Sequence, residues 1–298
     1  MPSKRSYLWR VILKISSNYD KPIDKLREKL VKDTRFLKPP KNVQITPVNA
    51  AGVPAEWLTP PRSIPNKVMI FLHGGGYVMG SPSTHRSLIA RLATTLGVRA
   101  LSVDYRLAPE HPFPSALEDS LTAYHWVIKQ GVSPENIVIA GDSAGAGLTL
   151  ATLISLRDNR EPLPAMALCI SPWTDLTLTG SSIQTQEKID PYISHDLLKL
   201  GAHYIGHNDP SSPLISPFYA DLSGLPPLLI HVGTDEVLLS DSTRLAAAAE
   251  KAGLEVTFKI WERMWHDFHF WAPYLPEANQ AIEEMSDFVS QHWIEPHQ

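Results

Sequence analysis

A chain of 298 residues with 43% hydrophobic and 19% charged residues has an ordinary globular composition, which excludes a disordered or fibrous protein. The formal net charge is only −4, and basic residues are interspersed with acidic ones, so no cationic stripe suited to a phosphate backbone is expected and nucleic acid is excluded as a partner. The single cysteine, Cys169, allows no intrachain disulfide and lies in an apolar run, where it reads as a small buried hydrophobe. No signal-peptide pattern opens the chain, and no window reaches the run of about 20 apolar residues that a spanning helix needs. The expectation is a cytoplasmic protein with no stable membrane insertion.

In chain order, residues 1 to about 42 read as helical and amphipathic, with Leu8, Val11, Ile12 and Ile15 spaced to form one packing face, ending at Pro39 and Pro40. This is a lid-like segment packed on the protein; a helix lying on a membrane surface is the alternative reading of its basic character. From Val43 onward, short β-branched runs alternate with longer helical stretches. The runs 68–72, 98–103, 137–140, 166–170, 227–232 and 256–260 read as strands. Continuous apolar runs imply burial on both faces, and the intervening stretches are long enough for crossover helices, so the expected core is a doubly wound, mostly parallel α/β sheet. The segment from about 176 to 213 breaks the alternation. It is polar, rich in Ser and Thr, helix-like only near His195 to Tyr204, and is read as an insertion beside the site.

Two motifs carry chemistry. Gly141-Asp142-Ser143-Ala144-Gly145 follows one buried strand and opens a helical run, the context of a nucleophile elbow, in which small flanking residues let a sharp turn expose the serine oxygen. A helix N-cap is the competing reading of Ser143. His73-Gly74-Gly75-Gly76 closes an earlier strand. Glycines let backbone N–H groups approach a developing oxyanion closely, and the pairing with GxSxG in this order favours that role over a flexible turn.

Together with Tyr105-Arg106-Leu107-Ala108-Pro109-Glu110-His111-Pro112-Phe113-Pro114, these motifs resemble the hormone-sensitive-lipase-like family of esterases, from about Val68 to the end of the chain. The resemblance implies an α/β-hydrolase core, residues 43–175 and 214–298, under a helical cap, residues 1–42 and 176–213. It also implies hydrolysis of short- to medium-chain carboxylic esters, with a small-molecule ester as the partner and no cofactor or metal. Ser143 matches the nucleophile, Gly75, Gly76 and the N–H of Ala144 match the oxyanion donors, and Gly74 shapes the turn. His266, in Trp265-His266-Asp267-Phe268, matches the base and comes last in the chain as the hydrolase order demands, with His269 the weaker candidate. The family usually has glycine where this chain has Asp267. The acid lies in Gly233-Thr234-Asp235-Glu236-Val237-Leu238, where counting from either end of the family pattern selects Glu236 over Asp235. A homodimer through the sheet edge near residues 256–260 is a further implication.

Two rival functions keep a place. A metal-dependent hydrolase would draw on His203 with His207 or His266 with His269, although no HExxH or cysteine cluster accompanies them. A small-molecule receptor on the same fold needs a broken triad, whereas Ser143 and His266 are both in place. Amide and lactone substrates stay open within the same acyl-transfer chemistry.

Overall fold

Eight strands form one sheet in the order β1-β2-β4-β3-β5-β6-β7-β8, described here in a computed structural model that covers residues 2–16 and 21–293. The strands are β1 (Gln44–Ala50), β2 (Val53–Thr59), β3 (Val68–Leu72), β4 (Arg99–Val103), β5 (Ile137–Asp142), β6 (Met166–Ile170), β7 (Leu228–Gly233) and β8 (Val256–Trp261). From β4 to β8 every neighbouring pair is parallel; β2 alone is reversed, pairing antiparallel with β1 on one side and with β4 on the other. The doubly wound expectation therefore holds, and each expected strand falls within about two residues of its observed bounds.

The apolar runs of the central strands serve two cores at once. In β3, Val68, Ile70 and Leu72 face one hydrophobic cluster while Met69 and Phe71 face another, and β5 divides Ile137 and Ile139 from Val138 and Ala140 in the same way. A strand buried on both faces has no polar side, hence the unbroken run in the sequence.

The β1–β2 hairpin is absent from the sequence reading. Its two-residue turn, Ala51-Gly52, has positive φ at both positions, 56° and 104°, and the Gly52 N–H donates to the Asn49 side chain. Paired positive φ values are the geometry that matches strand twist, but Ala-Gly is not the usual signal for it, and Pro47 and Pro54 interrupt the strand pattern.

The helices are α1 (Lys4–Ser16), α2 (Ile23–Thr34), α3 (Pro82–Leu96), α4 (Ser115–Lys129), α5 (Ala144–Asp158), α6 (Ser182–Thr185), α7 (His195–Leu198), α8 (Ala202–Ile205), α9 (Leu239–Lys251) and α10 (Pro276–His292). The first two confirm a helical N-terminal stretch but reverse the expected face of α1. Leu8 and Val11 are 61% and 58% exposed and Ile12 is 42% exposed, whereas Ser6 and Leu13 are buried on the opposite side; the Ile15 side chain lies outside the described residues. Trp9 joins that inner face, packed on Trp271 with ring centroids 4.5 Å apart. Apolar residues line both faces of the helix, so periodicity alone could not select the packed one. In the 176–213 insertion the expected helical stretch near 195–204 is present, as α7 and α8 joined by a 3-10 turn over Lys199–Gly201, and the one-turn α6 precedes it. Cys169 is buried in β6, where desolvation pushes its thiol up to about 12, as an inert core residue requires.

Candidate active site

Ser143 stands between β5 and α5 with φ 53° and ψ −120°, a backbone conformation that a non-glycine residue holds only when its surroundings enforce it. They do so here. A methyl on Gly145 would run into the carbonyl oxygen of Leu72, so only glycine lets α5 start directly behind the turn. Every residue of α5 from Ala144 to Leu156 is buried, which fixes the helix and leaves its N-terminus pointing at the serine.

The glycine run after β3 meets the elbow directly. The Gly74 N–H donates to Asp142 Oδ1 at 3.0 Å, and Asp142 Oδ2 lies 3.3 Å from His85 Nε2. Gly75 and Gly76 both have positive φ, 117° and 64°, and they line the same pocket as Ser143 and His266. The Tyr105 hydroxyl donates to the carbonyl of His73, and the two rings stack with centroids 4.2 Å apart, so the Tyr105–Pro114 motif buttresses the glycine loop.

Glu236, not Asp235, reaches the imidazole. Glu236 Oε2 lies 2.9 Å from His266 Nδ1, while Oε1 accepts from the Ser171 hydroxyl at 3.0 Å and from the Gly233 N–H. The carboxylate is wholly buried, and these donors replace the water it has lost. Asp235 turns the other way and pairs with Arg10 Nη2 of α1 at 2.8 Å. His269 is also placed elsewhere: its Nε2 lies 3.3 Å from His231 Nδ1 in the core, where desolvation holds its pKa well below the ordinary value. His203 and His207 are exposed, and among the described residues no group of three or more His, Cys, Asp or Glu side chains is arranged to hold a metal.

The remaining ring nitrogen has a partner that sequence reasoning did not assign. Asp267 Oδ2 lies 2.9 Å from His266 Nε2, and among the described residues no hydrogen bond joins that ring to Ser143. Asp267 has φ 53°, which explains why glycine suits the position and why aspartate, tolerant of the left-handed region, can occupy it. Burial pulls the His266 imidazole down, but Asp267 and Glu236 push the other way and together hold its pKa well above the ordinary histidine value. Asp267 in turn is pushed upward by burial.

Residues of α2 and of the 176–213 segment complete the walls. A pocket of about 650 Å³, part of it open to solvent, brings Ser143, His266 and Asp267 together with Leu30 of α2, Ile193 and Leu197 of the insertion, and Trp173. Tyr192 stacks over His266 with ring centroids 6.3 Å apart. Just before it, Asp190 accepts from the Val237 N–H at 3.1 Å, and burial lifts its carboxyl to about 7. Asp190 and Tyr192 went unassigned from sequence, since nothing in a polar insertion marks which residues reach the site.

A strained serine at a strand-to-helix turn, facing a buried His–Glu pair across a glycine loop, is the arrangement of α/β-hydrolases. Residues 69–270 match the sequence profile of the alpha/beta hydrolase fold family. An acetyl-hydrolase of Streptomyces hygroscopicus is 46% identical over 236 residues, 79% of each chain, and an esterase of Acinetobacter venetianus is 39% identical over 250 residues, 83% of this chain and 82% of that one. Among solved structures, an esterase from the bacterial hormone-sensitive lipase family superposes with a TM-score of 0.95 at 38% identity, covering 99% of this chain and 100% of the other. The chain belongs to that hormone-sensitive-lipase-like family of α/β-hydrolases.

Proposed function

We propose that this carboxylic ester hydrolase cleaves short- to medium-chain esters through an acyl-enzyme on Ser143, with His266 as the base and Glu236 as the acid that orients it. The observation that carries the reading is the convergence of the strained serine, the buried His266–Glu236 pair and the Gly75–Gly76 loop on one pocket. In this mechanism His266 Nε2 takes the Ser143 proton as Oγ bonds to the ester carbonyl carbon, and the N–H groups of Gly75, Gly76 and Ala144 receive the oxyanion. His266 then returns the proton to the leaving alkoxide as the C–O bond breaks. Water, deprotonated by the same nitrogen, releases the acid and restores the serine. Glu236 stays ionised throughout and stabilises the imidazolium. The chemistry needs no metal or cofactor. Labelling of Ser143 by a fluorophosphonate tests it, and an unlabelled serine overturns it.

For Nε2 to act as a base it must be neutral and free of Asp267. Because Asp267 favours the charged imidazolium, Asp267→Asn is expected to lower the pKa of the base and move the acid limb of the kcat/KM profile to lower pH, with a severalfold gain below neutrality. A pH profile of both enzymes on one ester checks this; an acid limb that stays put, or moves to higher pH, counts against it.

We take residues 1–42 and 176–213 as the cap, a division supported by their contribution of Leu30, Ile193 and Leu197 to the pocket wall. A largely apolar pocket of this size suits butyrate or hexanoate better than a long fatty acid. In a p-nitrophenyl ester series, kcat/KM is expected to peak at the short acyl chains and fall by about tenfold or more for the longest, consistent with the acetyl-hydrolase and esterase names of relatives. Efficient cleavage of emulsified long-chain triglyceride would contradict it. We further place the enzyme in the cytoplasm, where a lone buried Cys169 is at ease, and propose a homodimer through the exposed edge of β8, at which Ile260 is 42% exposed.

A further inference from the structure

Charge is unevenly distributed along this chain, contrary to the even interspersion read from its composition. Residues 1–42 contain twelve of the 27 Lys and Arg residues but only four of the 31 Asp and Glu residues, a net charge of about +8 on a chain whose total is −4. The remainder is therefore strongly acidic; Arg10 and Arg27 pair with its Asp235 and Glu110, while Lys4, Arg5 and Lys14 of α1 are exposed.

The same segment bears an outward apolar stripe. Tyr7, Leu8, Val11 and Ile12 of α1, spaced i, i+1, i+4 and i+5, are 51%, 61%, 58% and 42% exposed, and Phe36 just past α2 is 39% exposed. Lys4, Arg5 and Lys14 are exposed on the same helix, and α1 contains no acidic residue. An outward apolar face among lysines and arginines is the composition that lies in the headgroup region of an anionic bilayer, with apolar side chains in the acyl boundary and cations at the phosphates.

The stripe also leads towards the catalytic pocket. Behind Ile12 a cleft of about 610 Å³ runs between α1 and Phe36, lined by Trp9, Leu13, Tyr192 and Phe270. Tyr192 and Phe270 also line the pocket that holds Ser143. We propose that α1 and the end of α2 form a docking face for an anionic lipid surface, on which the cap rests so that the α1–α2 cleft opens onto the membrane. A second copy of the chain fits this face poorly, because a two-fold contact through α1 would gather the cations Lys4, Arg5 and Lys14 of both copies in one interface with no acidic residue of α1 to offset them. A nucleic acid would leave the apolar stripe without a role. The docking does not depend on the esterase chemistry.

Flotation with vesicles of equal parts phosphatidylcholine and phosphatidylglycerol tests the proposal, with vesicles of phosphatidylcholine alone as the control. Wild-type protein should float with the anionic vesicles, float far less with the neutral ones, and be released by salt. The pair Leu8→Glu with Val11→Glu, and separately the pair Lys4→Glu with Arg5→Glu, should each cut the bound fraction by about tenfold. Turnover of a water-soluble p-nitrophenyl ester should be unchanged in both, which also reports that they are folded. If the apolar pair misfolds, the charge pair decides alone, since its side chains are exposed. Ser143→Ala should bind vesicles as wild type does, which separates failure of docking from failure of the catalytic reading. Absence of flotation, equal binding to both vesicle types, or full binding by the variants overturns the proposal. So does a dimer, seen by light scattering, that the Leu8→Glu, Val11→Glu pair dissociates.

Discussion

Ser143→Ala is expected to lower kcat for a p-nitrophenyl ester by about 10⁵–10⁶-fold while leaving the fold intact. The loss follows from removing the one oxygen that can bond to the acyl carbon at the elbow. The preserved fold follows from what that oxygen touches: among the described residues the Ser143 hydroxyl has no hydrogen-bond partner, so nothing in the core is left unsatisfied by its removal. Alanine keeps the Cβ that occupies the turn, and the carbonyl of residue 143, which accepts from the N–H groups of Ala146, Gly147 and Trp173, is unchanged. Thermal unfolding should therefore shift by no more than about 2 °C. Turnover within tenfold of wild type would remove Ser143 from the mechanism. His266→Ala should be nearly as damaging, because the groups act as a unit.

Glu236→Gln is expected to cost about 10³–10⁴-fold in kcat. The amide keeps the shape of the side chain but presents either a neutral oxygen or an N–H to His266 Nδ1, so the imidazolium loses its counter-charge and the ring can take the wrong tautomer. Asp235→Asn should change kcat by less than about tenfold, since Asp235 faces Arg10 and Arg263 rather than the ring. Both variants are to be measured on one short-chain ester at saturating concentration, with circular dichroism to establish folding. A large loss for Asp235→Asn beside a mild one for Glu236→Gln would reverse the assignment.

The parts of this molecule legible in its sequence are those dictated by local or strictly ordered patterns. Residues 68–72 and 137–140 must be strands because an apolar run of that length, bounded by turn residues, has few other fates. The Gly141–Gly145 elbow declares itself because Gly145 tolerates no side chain against Leu72. Glu236 emerged from spacing, and the structure brings it to within 2.9 Å of His266. What stayed hidden depends on closure between distant segments. Asp190 meets Val237 across 47 residues of chain, and Tyr192 stacks on His266 from a polar insertion with no periodicity to place it. The inner face of α1 was concealed for the opposite reason: both of its sides carry apolar residues, and only contact with Trp271 decides between them. Asp267 was visible as a departure from the family pattern, but not as a group sharing the ring of His266, because a left-handed backbone aims its carboxylate.

The loop bearing Glu236 is gripped on both sides, by α1 and by the 176–213 segment. Arg10 of α1 holds Asp235 at 2.8 Å, and Asp190 of the insertion holds the Val237 N–H at 3.1 Å, so the residues flanking Glu236 answer to two different segments of the chain. Both contacts lie within one residue of Glu236, whose carboxylate meets His266 Nδ1 at 2.9 Å. The position of the proposed acid thus depends on two segments far from it in the chain, and a change in either would be felt at the imidazole.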